Sequence, residues 1–172
     1  MGQKSTKEDK SVYQLAREEL ELSREKATDI ISGIEYNGRI GRFNYLNYDK
    51  LVKLELGLQD FQPEDVLALS LAYNKPELRN YYCSRQCPIG EKDAPKVEDA
   101  DNVHKILVGM SVSLESVNSK KVRLMEILED GEVDSSEIKD LNKILDELEK
   151  ISMTIEAIQL WCEKAKHNKF DK

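Results

Sequence analysis

The chain has 172 residues and a formal charge of −7, with 26 basic and 33 acidic side chains. Its length allows one domain with an appendage or two small domains. The acidic balance excludes nonspecific attraction to nucleic acid as a bulk property, so a DNA-binding surface would have to be a local basic patch. No apolar run reaches the roughly 18 to 20 residues of a membrane span. Residues 1–10 lack the apolar stretch of a secretion signal and are expected to form a disordered tail, which favours a cytoplasmic location.

Residues 11–87 carry the pattern of five helices. Start signals for the second to fifth helices stand at Ser23, Asn47, Pro63 and Pro76. The third helix is expected over residues 48–56, with Leu51 and Leu54 facing inward and Gly57 as a left-handed stop. This order of helices predicts a compact α-helical module.

The second and third helices are separated by an insertion, residues 33–46, that predicts a short β-hairpin. Asn37 and Gly38 form the strongest short hairpin signal, because both residues tolerate the positive φ angles of a type I′ turn. Two interpretations stay open for the arginines of this ribbon, Arg39 and Arg42. They probe the minor groove or backbone of DNA, or they are solvated while the aromatic residues of the insertion pack back on the module.

The C-terminal half has a different, longer periodicity. A charged connector containing proline, residues 88–100, precedes residues 101–168, in which apolar side chains recur in steps of three and four from Val103 to Leu128 and again from Leu141 to Cys162. This pattern predicts an antiparallel helical hairpin with coiled-coil spacing. Two hairpins can pair as a four-helix bundle in a homodimer, or one hairpin can fold back on its own N-terminal module. The residues predicted to mediate dimerisation are Leu107, Met110, Leu114, Leu148, Ile151, Ile155 and Trp161.

Four segments together resemble a known family. The chain has YQLAREE at 13–19, PEDVLALSLAYN at 63–74, PELRNYYCSRQCPIG at 76–90 and ISMTIEAIQLW at 151–161. They are similar to YQIAREE, PEDVLAMAxxY, PELCNYYCxxECPIG and ISLTVESLQLW-like motifs of the lambda-repressor-like, Xre-type helix-turn-helix regulators of Gram-positive bacteria. The resemblance spans nearly the whole chain. It implies a mainly α fold, in which a five-helix helix-turn-helix module carries the inserted hairpin and precedes the long helical hairpin.

The resemblance also implies where DNA would be contacted. In repressors of this fold the first, second and sixth residues of the recognition helix reach base edges, and these are Tyr48, Asp49 and Lys53 here. Lys53 can donate to guanine and Tyr48 can bond to phosphate, whereas the carboxylate of Asp49 accepts only from cytosine and is repelled by the backbone. Lys50 is placed to pair with phosphate, as is Arg24 near the start of the second helix.

We therefore expect a sequence-specific transcriptional regulator that occupies double-stranded operator DNA as a homodimer. The alternative is a protein-binding adaptor or antagonist built on a degenerated module that no longer binds DNA. Neither an enzymatic activity nor a cofactor is expected, because His104 and His167 have no serine or cysteine partner at a recognisable spacing. No metal site is expected either, since the other ligands that Cys83 and Cys87 would need for zinc are remote in sequence.

Overall fold

A computed structural model describes residues 10–97, 102–129 and 131–170, without the side chains of 167–170. The predicted disordered tail therefore lies outside the described residues except for Lys10, as does the end of the predicted connector. The described part is mainly helical, with eight helices and one two-stranded antiparallel sheet. This confirms a mainly α chain with a small hairpin and a long helical pair at the C-terminus. The chain divides between Glu91 and Lys92 into two compact units, here called unit 1 and unit 2.

Unit 1 contains five helices of eight to ten residues. They are α1 (Val12–Glu19), α2 (Arg24–Gly33), α3 (Tyr48–Glu55), α4 (Pro63–Ala72) and α5 (Glu77–Arg85). A short α6 (Gly90–Asp93) follows at the division between the units. The caps expected from the sequence form: Ser23 accepts from the backbone N–H of Lys26 at 3.2 Å, and Asn47 from that of Lys50 at 3.0 Å. Gly57, with a φ of 69°, ends α3 as predicted.

The inserted ribbon forms the predicted hairpin, though with shorter strands. Its strands are β1 (Glu35–Tyr36) and β2 (Arg39–Ile40). Asn37 and Gly38 have φ angles of 52° and 73°, as a type I′ turn requires. The alternation in the sequence continues as far as Tyr45, but β2 ends at Ile40 because Gly41, with a φ of 79°, turns the chain. The following segment then buries Phe43 completely, so the base of the ribbon belongs to the core.

The core of unit 1 is built from all five main helices and the base of the ribbon. Its largest fully buried apolar side chains are Tyr13, Ile31, Phe43, Leu46, Leu51, Leu54, Val66 and Leu69. The predicted inward face of α3 is thus confirmed. Each such side chain contributes about 1.5 to 3 kcal/mol when fully buried, so this cluster fixes α3 against its neighbours. In particular, α2 packs against both α3 and α4.

Unit 2 is dominated by the predicted pair of long helices, α7 (Val103–Leu128) and α8 (Ile138–Phe170). Alternate positions of the predicted α7 stripe are half-buried, namely Val103, Met110, Val117 and Leu124. At the other predicted positions the seam instead uses the residue before each. The most buried side chains of this pair are Ile106, Ser113, Ile127, Ile144, Ala157 and Leu160. Leu107, Leu114 and Leu128, each one residue further along α7, are about half exposed. A polar layer interrupts the seam where Lys120 and Glu147 lie 3.5 Å apart.

Candidate nucleic-acid interface

The seven residues predicted to contact DNA lie on three elements of unit 1. Arg24 is on α2, two arginines are on the ribbon, and the other four are on α3. Three of the cations, Arg24, Arg42 and Lys50, are bonded to carboxylates. Arg39, Tyr48, Asp49 and Lys53 are exposed, and for Arg39 and Lys53 the described residues provide no acidic partner. The structure therefore divides the predicted contacts into paired and unpaired groups.

The most buried charged cluster joins α1, α2 and α3. The side chain of Glu55 is 0% exposed and accepts from Arg17 Nε at 2.7 Å and from Arg17 Nη2 at 2.9 Å, a two-point contact. The same carboxylate accepts from Arg24 Nε at 2.6 Å. The hydrogen bond to Glu55 raises the pKa of Arg17 above its ordinary value. Sequence reasoning missed Arg17 and Glu55, and it left Arg24 without this internal partner.

Lys50 is held between α4 and the ribbon. Its Nζ lies 2.7 Å from Oδ1 of Asp65, whose side chain is 1% exposed, and 4.4 Å from the centre of the Tyr45 ring. The other oxygen of Asp65 accepts from the backbone N–H of Gln62 at 3.0 Å and so caps α4. Burial, together with the charge of Asp65, raises the pKa of Tyr45 to about 12. One carboxylate thus fixes both the start of α4 and the direction of Lys50.

The two arginines of the ribbon have different environments. Arg42 Nη2 donates to Glu64 at 2.7 Å, and its guanidinium carbon lies 4.9 Å from the centre of the Tyr36 ring. Arg42 therefore packs along the base of the ribbon, together with the buried Phe43. Arg39 is exposed near the tip. The exposed Arg39 is compatible with both interpretations of the ribbon, the ion pair of Arg42 was expected by neither, and the burial of Phe43 agrees with aromatic residues packed back on the module.

A cleft of about 630 Å³ opens at the N-terminus of α2. Its lining residues are Lys10, Gln14, Arg17, Glu18, Ser23, Arg24, Glu25 and Tyr48. The cleft brings together Arg24 and Tyr48, two predicted contacts from different helices. The first turn of a helix has unpaired backbone N–H groups and a partial positive charge, so it favours anions. Lys10 and the two arginines in its wall are each bonded to a carboxylate, Glu18 or Glu55, so a phosphate in the cleft would share these cations with the internal acids.

Replacing Asp65 with alanine tests the link between the cap and Lys50. We expect the free energy of unfolding of unit 1 to fall by about 2 kcal/mol, because the capped N–H of Gln62 and the partly buried ammonium of Lys50 both lose their acceptor. Urea denaturation followed by far-UV circular dichroism measures the change. Asp60→Ala, at an exposed carboxylate just before α4, is the control and should change stability by less than about 0.5 kcal/mol. Equal stabilities for the two variants would contradict the described contacts.

The remaining sites offer less chemistry. None of the three cysteines, all of them described, forms a disulfide, and in the part of the chain that is described no group of three or more histidine, cysteine or acidic side chains is arranged to hold a metal. None of the described helices combines the length and apolar character needed to cross a membrane. Comparisons with protein-family models, with curated proteins and with solved structures find no match to this chain.

Proposed function

We propose that the chain is a sequence-specific DNA-binding transcriptional regulator that occupies its operator as a homodimer through a lambda-repressor-like helix-turn-helix module. The observation that carries this proposal is the cleft at the N-terminus of α2, where Arg24 and Tyr48 meet. A backbone phosphate is the ligand that this combination of cations and helix terminus favours. The sequence resemblance supplies the class of regulator, and the cleft supplies an anchor for the duplex.

The candidate residues have different roles in the proposed complex with DNA. A phosphate seated in the cleft accepts from Arg24, which sets the register of the module on the duplex. The exposed side of α3 then presents Lys53 and Asp49 to base edges, and Arg39 reaches the backbone or a narrow minor groove from the ribbon. Arg42 and Lys50 maintain the shape of this surface through their carboxylate partners.

Titration of a labelled duplex of random sequence at about 50 and 200 mM salt tests DNA binding directly, because each neutralised phosphate adds to the salt dependence of the affinity. We expect Arg39→Ala to weaken binding and to reduce the salt slope by about 1 per protomer, since a phosphate contact is lost. Lys53→Ala should weaken binding chiefly to a selected operator. Lys139→Ala removes an exposed lysine of α8 as the control and should leave both affinity and slope unchanged.

A protein-binding adaptor is the second candidate function, and a specific observation favours it. Arg24, Arg42 and Lys50 already have carboxylate partners, and the chain as a whole carries a charge of −7. An adaptor with this surface would show no salt-dependent affinity for a duplex even at low salt. The wild-type titration alone therefore separates the two functions: absence of binding at about 50 mM salt would overturn the DNA-binding proposal.

A further inference from the structure

One side of the α7–α8 pair carries a long row of exposed apolar side chains. This row, here called the outer apolar face, consists of Leu107, Leu114, Met125 and Leu128 on α7 with Ile138, Leu145, Leu148 and Ile155 on α8. Their exposed fractions range from 37% for Leu148 to 62% for Met125. We propose that a second copy of the chain docks on the outer apolar face, so that two hairpins form a four-helix bundle. The inference rests on the proposed function, which already includes a homodimer. What is new is the surface through which the two copies associate.

The position of this face follows from where its residues lie along each helix relative to the seam. On α7, Leu107 and Leu114 each follow a buried seam residue by one position, Ile106 and Ser113. On α8, Leu148 likewise follows Glu147, which meets Lys120 in the seam. In an antiparallel pair, positions that follow the seam by one residue in both helices lie on the same side. The exposed residues of α7 and α8 thus form one continuous surface.

On the opposite side of the hairpin, the segment before α7 lies against the two helices. Val97, from the segment before α7, lines a groove there with Gly109, Met153 and Ala157. Ala157 is only 7% exposed. In the described part of unit 2, the side of the hairpin that contacts the preceding segment is therefore opposite to the outer apolar face.

The outer apolar face has the dimensions of a dimer interface. From Leu107 to Leu128 it extends over 21 residues of α7, or about 32 Å at 1.5 Å per residue, and two adjacent helices are about 20 Å wide. The resulting footprint of about 600 Å² per copy is at the lower end of the range for stable specific interfaces, roughly 600 to 1,000 Å² per partner. Rows of exposed apolar residues bordered by polar ones often mark sites of protein–protein interaction.

The face is also complementary to itself. Because Lys120 is level with Glu147, the residue of this face on α8 nearest in height to Leu114 is Ser152, and the one on α7 nearest in height to Leu148 is Asn118. A two-fold axis parallel to the helices would bring each of these two leucines against the small or polar residue of the other copy. Such alternation allows two identical surfaces to interdigitate. This pattern favours a second copy over an unrelated partner.

The charged residues in and around the outer apolar face also favour a second copy of the chain as the partner. Between Leu107 and Leu128 the only charged side chain within the face is Lys121, an exposed lysine without an acidic partner among the described residues. Exposed glutamates, including Glu149, border the face on its outer side. In the two-fold arrangement Lys121 lies against Leu145 of the other copy, within one helical turn of its Glu149. Each copy therefore supplies the lysine of one ion pair and the glutamate of the other, equivalent pair.

Sedimentation equilibrium of the full chain, without DNA, tests the docking. We expect a dimer at about 20 μM and expect Leu114→Asp to raise its dissociation constant by at least about 100-fold, since each dimer buries this leucine twice. The control is Val122→Asp, at a more exposed apolar residue of α7 (68%) outside the face, which should remain dimeric. Both variants should keep the wild-type helix content in far-UV circular dichroism. A monomeric wild type, or equal dissociation of both variants, would overturn the proposal.

Exchanging the charges of Lys121 and Glu149 is a second test, and loss of folding cannot explain its expected result. Lys121→Glu should weaken the dimer by about 10-fold, and Lys121→Glu combined with Glu149→Lys should return the dissociation constant to within about 2-fold of wild type. If the double variant does not recover the wild-type dissociation constant, the proposed alignment of the two copies is wrong. These measurements are independent of duplex binding. A dimer that does not bind DNA would overturn the proposed DNA binding but not the docking, whereas a monomer that binds DNA would overturn the docking and the homodimer but not DNA binding.

Discussion

Replacing Glu55 with alanine is expected to lower the free energy of unfolding of unit 1 by about 3 to 5 kcal/mol. The carboxylate is completely buried and binds both Arg17 and Arg24. Its removal leaves the guanidinium of Arg17, a residue that is 5% exposed, with Glu18 Oε1 at 3.8 Å instead of a two-point contact. Hydration can offset only part of that loss, because the guanidinium borders the cleft at the N-terminus of α2 but is largely buried.

Urea denaturation followed by far-UV circular dichroism would measure the loss, and the fluorescence of Trp161, the one tryptophan, would report on unit 2 separately. Glu64→Ala is the matched control, because it breaks the pair of Arg42 with a glutamate whose side chain is 58% exposed. An exposed pair contributes about 0 to 1 kcal/mol. A Glu55→Ala variant no less stable than the control would show that the buried cluster does not hold α1, α2 and α3 together.

Features that depend on neighbouring residues were predictable from the sequence. The cap at Asn47, the stop at Gly57 and the turn at Asn37 and Gly38 all arise from the side chain or backbone freedom of one or two residues. These preferences act before any tertiary contact forms. They therefore indicate where α3 and the ribbon begin and end, apart from the early end of β2 caused by Gly41.

Contacts between distant residues could not be predicted in this way. Arg17 and Glu55 are 38 positions apart, and Lys50 and Asp65 are 15 apart, so their pairing depends on how the helices pack. The sequence does place Tyr48 and Lys53 on α3, but it gives no sign that Lys50 turns towards α4. The internal pairs determine which cations remain unpaired. Those unpaired cations bear most directly on DNA binding, so they could be identified only from the structure.

The seam of the C-terminal hairpin illustrates a different limit. Steps of three and four along α7 are satisfied equally by the column through Leu107 and Leu114 and by the column through Ile106 and Ser113. Hydrophobicity alone favours the first column, because Ser113 and Lys120 interrupt the second. The structure buries the second column and leaves the first exposed. An apolar stripe wider than one seam is what a helix with two partners requires, which connects this departure from expectation to the proposed dimer.

Phe43→Ala is expected to lower the free energy of unfolding of unit 1 by about 3 to 5 kcal/mol, because it leaves a cavity the size of an aromatic ring at a position that is 0% exposed. Ile40→Ala, in the same ribbon but 71% exposed, is the control and should change stability by less than about 0.5 kcal/mol. Urea denaturation at 25 °C compares the two variants.

The same pair of variants separates the anchoring of the ribbon from its contact with DNA. Phe43 holds the base of the ribbon in the core, and this anchoring sets the position of Arg39 at the tip. Under conditions in which both variants stay folded, Phe43→Ala should therefore weaken duplex binding about as much as Arg39→Ala, whereas Ile40→Ala should have little effect on the salt slope. If Phe43→Ala reduced stability but left duplex affinity and its salt slope unchanged, the ribbon would be a structural insertion and the DNA contacts would be confined to α2 and α3.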